Sequence, residues 1–345
     1  MKYCTIIAIL GLFATCKAPK ALLEVPLTDN QSILILDSLA ASTEIIQDNM
    51  DGFFDNISLL DMSIQMKKNF PANTSQNEAV TQYKAFIQTD VADFTASEKA
   101  YVTKTFKEAI ALCNGIAGDI FPAQIKLIKT KANHYGEQVY YTRQNQIVIP
   151  YDALAMRNEE GFLRVMLHEI FHIYSRYNPE KRDKLYELIG FSPIRQMFTM
   201  NEALSRRILL NPDGVNYLFK IDLKQADGST KSAVPIIVSK FDDFDKTRSN
   251  FFNYLEFQLF EIADQPNNSV SIISTEKGFS TLNMRTQTDF FAQIKDNTNY
   301  IIHPDEIMAD NFMFLMMSQK GGDEVAGFSE EGKALIKEIK KILVE

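Results

Sequence analysis

Apolar residues recur at helical spacing from residue 32 to about 68, with a break at Asp51-Gly52, and this predicts two helices. Residues 71–76 read as a loop and 78–93 as a third helix. Thr95-Ala96-Ser97-Glu98 has the form of a capping box opening a fourth helix that runs to about Asn114. Past Pro122 the texture changes to short β-rich runs, Gln124–Thr130, 138–142 and Gln146–Pro150, with the polar turn Arg143-Gln144-Asn145 between the last two. These predict an antiparallel sheet. A helix over Glu159–Tyr177 follows and ends before Asn178-Pro179, while 181–213 supports no assignment. Runs 217–223 and 233–239 flank Ala226-Asp227-Gly228 as a hairpin, and 254–262 reads as another strand. The chain closes with a helix opened by Pro304, a stop at Gly321-Gly322, and an amphipathic helix over about 330–343. Neither an internal repeat nor a low-complexity segment interrupts this order.

With 345 residues, 46% of them hydrophobic, the chain can bury a large core, which excludes disordered and collagen-like classes. A net charge of -8, with Lys and Arg scattered among acids, argues against a nucleic-acid partner. Residues 1–16 read as a signal peptide: a charged start at Met1-Lys2-Tyr3, then an apolar run far short of the ~20 residues that span a bilayer. Leu12-Phe13-Ala14-Thr15-Cys16 resembles a bacterial lipobox, although Phe13 stands where Leu is usual and Thr15 where a smaller residue is usual. The resemblance implies a lipid on Cys16 and a body tethered at the cell envelope, periplasmic or outer-membrane, by a linker over 17–30. The alternative is simple secretion. Cys4 would leave with the signal, so Cys113 has no disulfide partner and reads as a small core residue.

The chain has four histidines, and two of them stand in Leu167-His168-Glu169-Ile170-Phe171-His172 inside a predicted helix. At 3.6 residues per turn His168 and His172 share one face, so both imidazoles can reach a single zinc ion about 2.0–2.1 Å from each nitrogen. Glu169, turned about 100° away, can engage a water without ligating the metal. In a chain this poor in histidine, chance would produce the motif on the order of three times in a thousand. The flanks are apolar almost all round, so the helix should be buried.

At these residues the chain resembles the zincin metallopeptidases. The resemblance implies an edge strand along the cleft that pairs with extended substrate, with Gln146–Pro150 as the candidate. Ser175 and Asn178 occupy the positions where the metzincin branch requires Gly and His, which excludes that branch. The gluzincin branch supplies a glutamate ligand from a later helix, with an acidic residue four positions on that orients a ligand histidine. Glu306 and Asp310 in His303-Pro304-Asp305-Glu306-Ile307-Met308-Ala309-Asp310 fit those roles. Glu306 lies unusually far from His172, and Glu202 in Asn201-Glu202-Ala203-Leu204-Ser205-Arg206 is a competing third ligand with Arg206 where an Asp is needed. The chain also resembles uncharacterised envelope lipoprotein metallopeptidases of Bacteroidetes-type bacteria.

The expected class is α+β, zincin-like, one domain over 31–345. It comprises a helical part (31–120), a small antiparallel sheet with the motif helix (121–180), an inserted β-rich region (181–298) and C-terminal helices (299–345). The expected activity is hydrolysis of peptide or protein substrates with one zinc ion, held by His168, His172 and Glu306, and Glu169 as general base. The alternative is an envelope binding protein on the same scaffold without turnover. Tyr300 and His303 are candidates for an oxyanion donor, His303 equally for a helix start without a role in chemistry. His134 reads as exposed, Met313, Met316 and Met317 as core, and Phe241-Asp242-Asp243-Phe244-Asp245 as a solvated loop.

Overall fold

The computed structural model describes residues 22–213, 218–266 and 268–345, so the expected signal peptide and Cys16 lie outside the described residues. Strands β1 (Leu23–Pro26) and β2 (Ser32–Ile35) pair antiparallel. The linker expected over 17–30 therefore contains a paired strand, and the helix expected from residue 32 starts only with α1 (Ser38–Glu44). The cause is a two-residue period within Ser32–Ile35: Ile33 and Ile35 enter one core while Leu34 packs toward another. Helices α2 (Phe53–Asn56), α3 (Leu59–Met66) and α4 (Gln76–Thr89) follow, and the short β3 (Val91–Ala92) ends the predicted third helix early. The capping box opens α5 (Ala96–Asn114) as expected, Thr95 and Glu98 each accepting from the other's backbone N–H.

Strands β4 (Gln124–Thr130), β5 (Tyr141–Arg143) and β6 (Gln146–Pro150) complete a six-stranded sheet of order β1-β2-β4-β6-β5, with β3 against β4. Because β4 runs parallel to both β2 and β6, the sheet is mixed, not antiparallel as the runs suggested. Strand direction depends on the long crossover between β2 and β4, and composition within a run carries no trace of it. The edges are β1 and β5, and β6, expected at an edge, lies between β4 and β5. Arg143, expected in the turn, closes β5 instead; it is buried, its guanidinium 4.3 and 4.7 Å from the ring centres of Phe53 and Phe54.

After α6 (Tyr151–Met156) come the motif helix α7 (Glu159–Tyr177), at its expected bounds, and α8 (Pro179–Glu187). The unassigned stretch holds α8, β7 (Phe191–Pro193), β8 (Met197–Thr199) and α9 (Glu202–Arg207). The expected hairpin joins β9 (Phe219–Lys224) to β10 (Thr230–Ser239) through Gly228 at φ +85. With β11 (Leu255–Gln265) and β12 (Ser269–Ile272) they form a second sheet, β7-β9-β10-β11-β12-β8, so the inserted region is a sheet in its own right. Helices α10 (Thr288–Ile294), α11 (Pro304–Ser318) and α12 (Glu330–Val344) close the chain.

The first sheet divides two cores. Ile125, Leu127, Ile147 and Ile149 face α5, α7, α11 and α12, where Cys113, Met313, Met316 and Met317 are buried as expected. Ile128, Val148 and Tyr141 face α1–α4 and the inner side of the second sheet. One polar reading is corrected here, and a second, the solvated loop over 241–245, holds for the exposed Asp242 and Asp243 but not for the buried Phe244. His134 is buried rather than exposed, bonded to Asp90 and, at 3.0 Å, to the Tyr141 hydroxyl. In the acidic-aromatic loop Phe241 and Phe244 pack on Tyr254, and Asp242 pairs with Arg207. Among the described residues no helix is long and apolar enough to cross a membrane.

Candidate metal centre

Apolar side chains surround most of α7, so it is held from several sides: Phe171 meets Phe312 of α11 at 5.4 Å between ring centres, and Tyr174 packs beside it. Asn158 caps its start by accepting from Gly161 N–H, and Asn178-Pro179 ends it. Helix α11 lies against α7 and starts on His303, whose Nδ1 accepts from Asp305 N–H at 3.1 Å, with Pro304 at its first position. That cap is the helix-start role expected for His303, and it fixes where Asp305 and Glu306 point.

The donor atoms of His168, His172 and Glu306 lie within 4.8 Å of one another. His168 donates from Nδ1 to Asp310 at 2.9 Å and from Nε2 to Glu306 at 3.0 Å. His172 donates from Nδ1 to Asp305 at 2.6 Å, and its Nε2 stands 3.4 Å from the same Glu306 oxygen. Each histidine thus has one nitrogen fixed by an aspartate of α11 and the other turned toward Glu306. Asp305 is held in turn by the Tyr186 hydroxyl and Asp310 by the Thr298 hydroxyl. Such outer contacts fix imidazole orientation and raise its basicity toward a cation.

Electrostatics follow from this geometry. Burial works against the imidazolium of His168, but its bonds to Asp310 and Glu306 outweigh that and raise its pKa to about 10. His172 is likewise raised, by Glu306, Asp213 and Asp305 against the cost of burial, and Glu306 is held well below the usual carboxylate range by the two histidines. An environment that favours positive charge on these nitrogens favours a divalent cation for the same reason. Glu169 is only 4% exposed; its Oε2, like Nε2 of His172, is buried without a hydrogen-bond partner. Burial first, and then the neighbouring Asp213 carboxylate, push its pKa up. Two imidazoles and a buried carboxylate with their donor atoms within 4.8 Å of one another, one imidazole nitrogen among them without a partner, fit a zinc site.

Two residues of the inserted region belong to the same site. Asn211 donates to Oε1 of Glu306. Asp213 forms a second close group with Glu169 and His172, and its Oδ1 accepts from the backbone N–H and hydroxyl of Thr142 on β5, at 2.5 and 2.6 Å. The open cleft beyond is lined by residues 138–140, Arg164, Tyr300 and Met313, and Tyr300 stacks on His168 with 5.9 Å between ring centres. Glu202 does not approach the site: it is 79% exposed and pairs with Arg206 on α9. Sequence reasoning missed Asp305, Asn211 and Asp213. The four-residue spacing that finds Asp310 cannot reach Asp305, and nothing local marks the other two. No family model, curated protein or solved structure matches the chain.

Proposed function

We propose that the chain is a zinc-dependent metallopeptidase of zincin, gluzincin-like type, exported and held at the bacterial cell envelope by a lipid on Cys16. One observation carries the activity: His168, His172 and Glu306 converge from two packed helices beside a buried Glu169 whose Oε2 has no partner. His168, His172 and Glu306 would hold the ion, and Asp310 and Asp305 orient the two imidazoles. Bound there, zinc supplies Lewis acidity for activating water and polarising a carbonyl. Glu169 takes the proton of the attacking water and delivers it to the leaving amine. Tyr300, 44% exposed and stacked on His168 at the cleft, stays protonated because partial burial and nearby carboxylates raise its pKa, so its hydroxyl can donate to the developing oxyanion. Substrate backbone would run beside residues 138–140, next to edge strand β5.

The test compares purified wild type with Glu169→Gln for zinc content and for cleavage of a mixed peptide pool. About one zinc per chain is expected in both, with cleavage in the wild type alone. Zinc in both without cleavage by either would instead support a binding protein on this scaffold. Absence of zinc from both refutes the centre.

A further inference from the structure

Beside the cleft lies a second cavity of about 190 Å³, walled by Val139, Leu210, Ile237, Phe251, Leu255 and Ile302. It is continuous with the cleft: Tyr140, Asp213 and Tyr300 line both. We propose that this cavity receives a large apolar side chain, benzyl- or isobutyl-sized, of the substrate residue next to the scissile bond. The proposal rests on the peptidase reading and adds to it a substrate class.

Size and polarity choose the occupant. A cavity of about 150 Å³ lined by Leu, Ile and Phe holds benzene, so this one takes a Phe, Leu or Met side chain. No Lys or Arg lines it, and the single carboxylate, Asp213, stands at the border with the cleft with Oδ1 already serving Thr142. An acidic side chain would meet Asp213, and a cationic one would find that carboxylate only at the mouth, with the Asn211 amide and the Tyr135 hydroxyl as the other polar groups, so the apolar walls favour an uncharged occupant. The walls are also built to keep their shape. Ile237 is paired with Phe257 near the end of β10 and Leu255 opens β11, while the strap over 209–213 is pinned by Leu209 N–H to Ile237 O at 3.0 Å and by Leu210 N–H to Asp61 at 2.9 Å. A preformed pocket spares the ordering cost that weakens binding. Most of these walls come from the inserted region, so the insertion gives the cleft its selectivity.

The experiment maps cleavage sites of the zinc-loaded protein in a random peptide mixture by mass spectrometry. Expected is Phe, Leu or Met at one fixed position beside the cut, charged residues lowest there, and kcat/KM for Phe above Ala by at least about tenfold. Leu255→Trp, which puts an indole into the cavity, should bring the Phe-to-Ala ratio toward one. Cleavage with no such preference, or with a charged residue preferred, overturns the proposal while leaving the peptidase reading intact. If no peptide is cut, the peptidase reading has failed, and crystals soaked in toluene decide the pocket by itself. Density for toluene between Ile237 and Leu255 keeps it as an apolar side-chain site; an empty cavity overturns the proposal. So does a molecule retained there through purification, because the cavity would then serve a carried ligand.

Discussion

Replacing Asp305 by Asn removes a negative charge 2.6 Å from Nδ1 of His172 while leaving an oxygen in place to accept the bond. Asp310→Asn does the same to His168 at 2.9 Å. A bond to a charged acceptor is worth about 1.5–3 kcal/mol and a neutral one about 1 kcal/mol, so each change should cost roughly 1–2 kcal/mol of imidazole basicity toward a cation. That agrees with the roughly 10–100-fold loss of metal affinity typical when such an orienting group is removed. Asp305 should matter more, because its side chain is 4% exposed against 20% for Asp310, and a charge shielded from water acts more strongly. Both histidines meet at the same Glu306 oxygen, so the two losses should be coupled and the double variant should depart from the product of the single losses. Zinc affinity is read by competition with a chromogenic chelator. Urea unfolding in the presence of a chelator separates lost affinity from lost fold. Unchanged affinity in both single variants, with the fold intact, would refute the assignment of α11 as the orienting helix.

Other consequences are open to the same kind of check. Burial raises the Asp61 pKa to about 7 from an ordinary 3.8, so the folded state binds this proton more tightly than the unfolded chain and stability should fall between about pH 4 and 7. The full shift corresponds to at most about 4 kcal/mol. Asp61→Asn should flatten that decline in urea titrations, and parallel curves for the two proteins would count against it. Gly278 sits at φ +78 with its missing Cβ position 2.5 Å from the Ala203 carbonyl carbon, so Gly278→Ala should destabilise by roughly 1–3 kcal/mol in thermal unfolding. Glu202→Gln breaks only an exposed pair with Arg206 and should leave zinc affinity unchanged and stability within about 0.5 kcal/mol; a loss of metal would return Glu202 to candidacy as a ligand.

Local chemistry was legible wherever a short stretch of chain suffices to express it. The capping box at Thr95 and Glu98, the bounds of α7, Pro304 at the start of α11 and the turn at Gly228 depend on residues within a few positions of one another. For the same reason His168, Glu169 and His172 could be read together: one helical turn places them, and any α-helix would. Glu306 and Asp310 were legible as a pair by the same spacing. Their meeting with His168 was an inference from resemblance until the packing of α7 on α11 brought the side chains within hydrogen-bonding distance.

Tertiary structure alone decided the rest. Whether β4 runs parallel to β6, and whether β5 or β6 is the edge, depends on how the chain crosses between strands, which no run of apolar residues records. Arg143 and His134 look like surface residues in sequence; their burial follows from partners distant in the chain, Phe53 for one and Asp90 for the other. Asn211 and Asp213 enter the site from a strap whose course depends on the second sheet and on Asp61. The sequence by itself determined the donor types and the helices that carry them, because helical periodicity is a local property of the chain. Only the fold decided which carboxylates face those donors and what closes the cleft around them, because burial and long-range contact depend on every element at once.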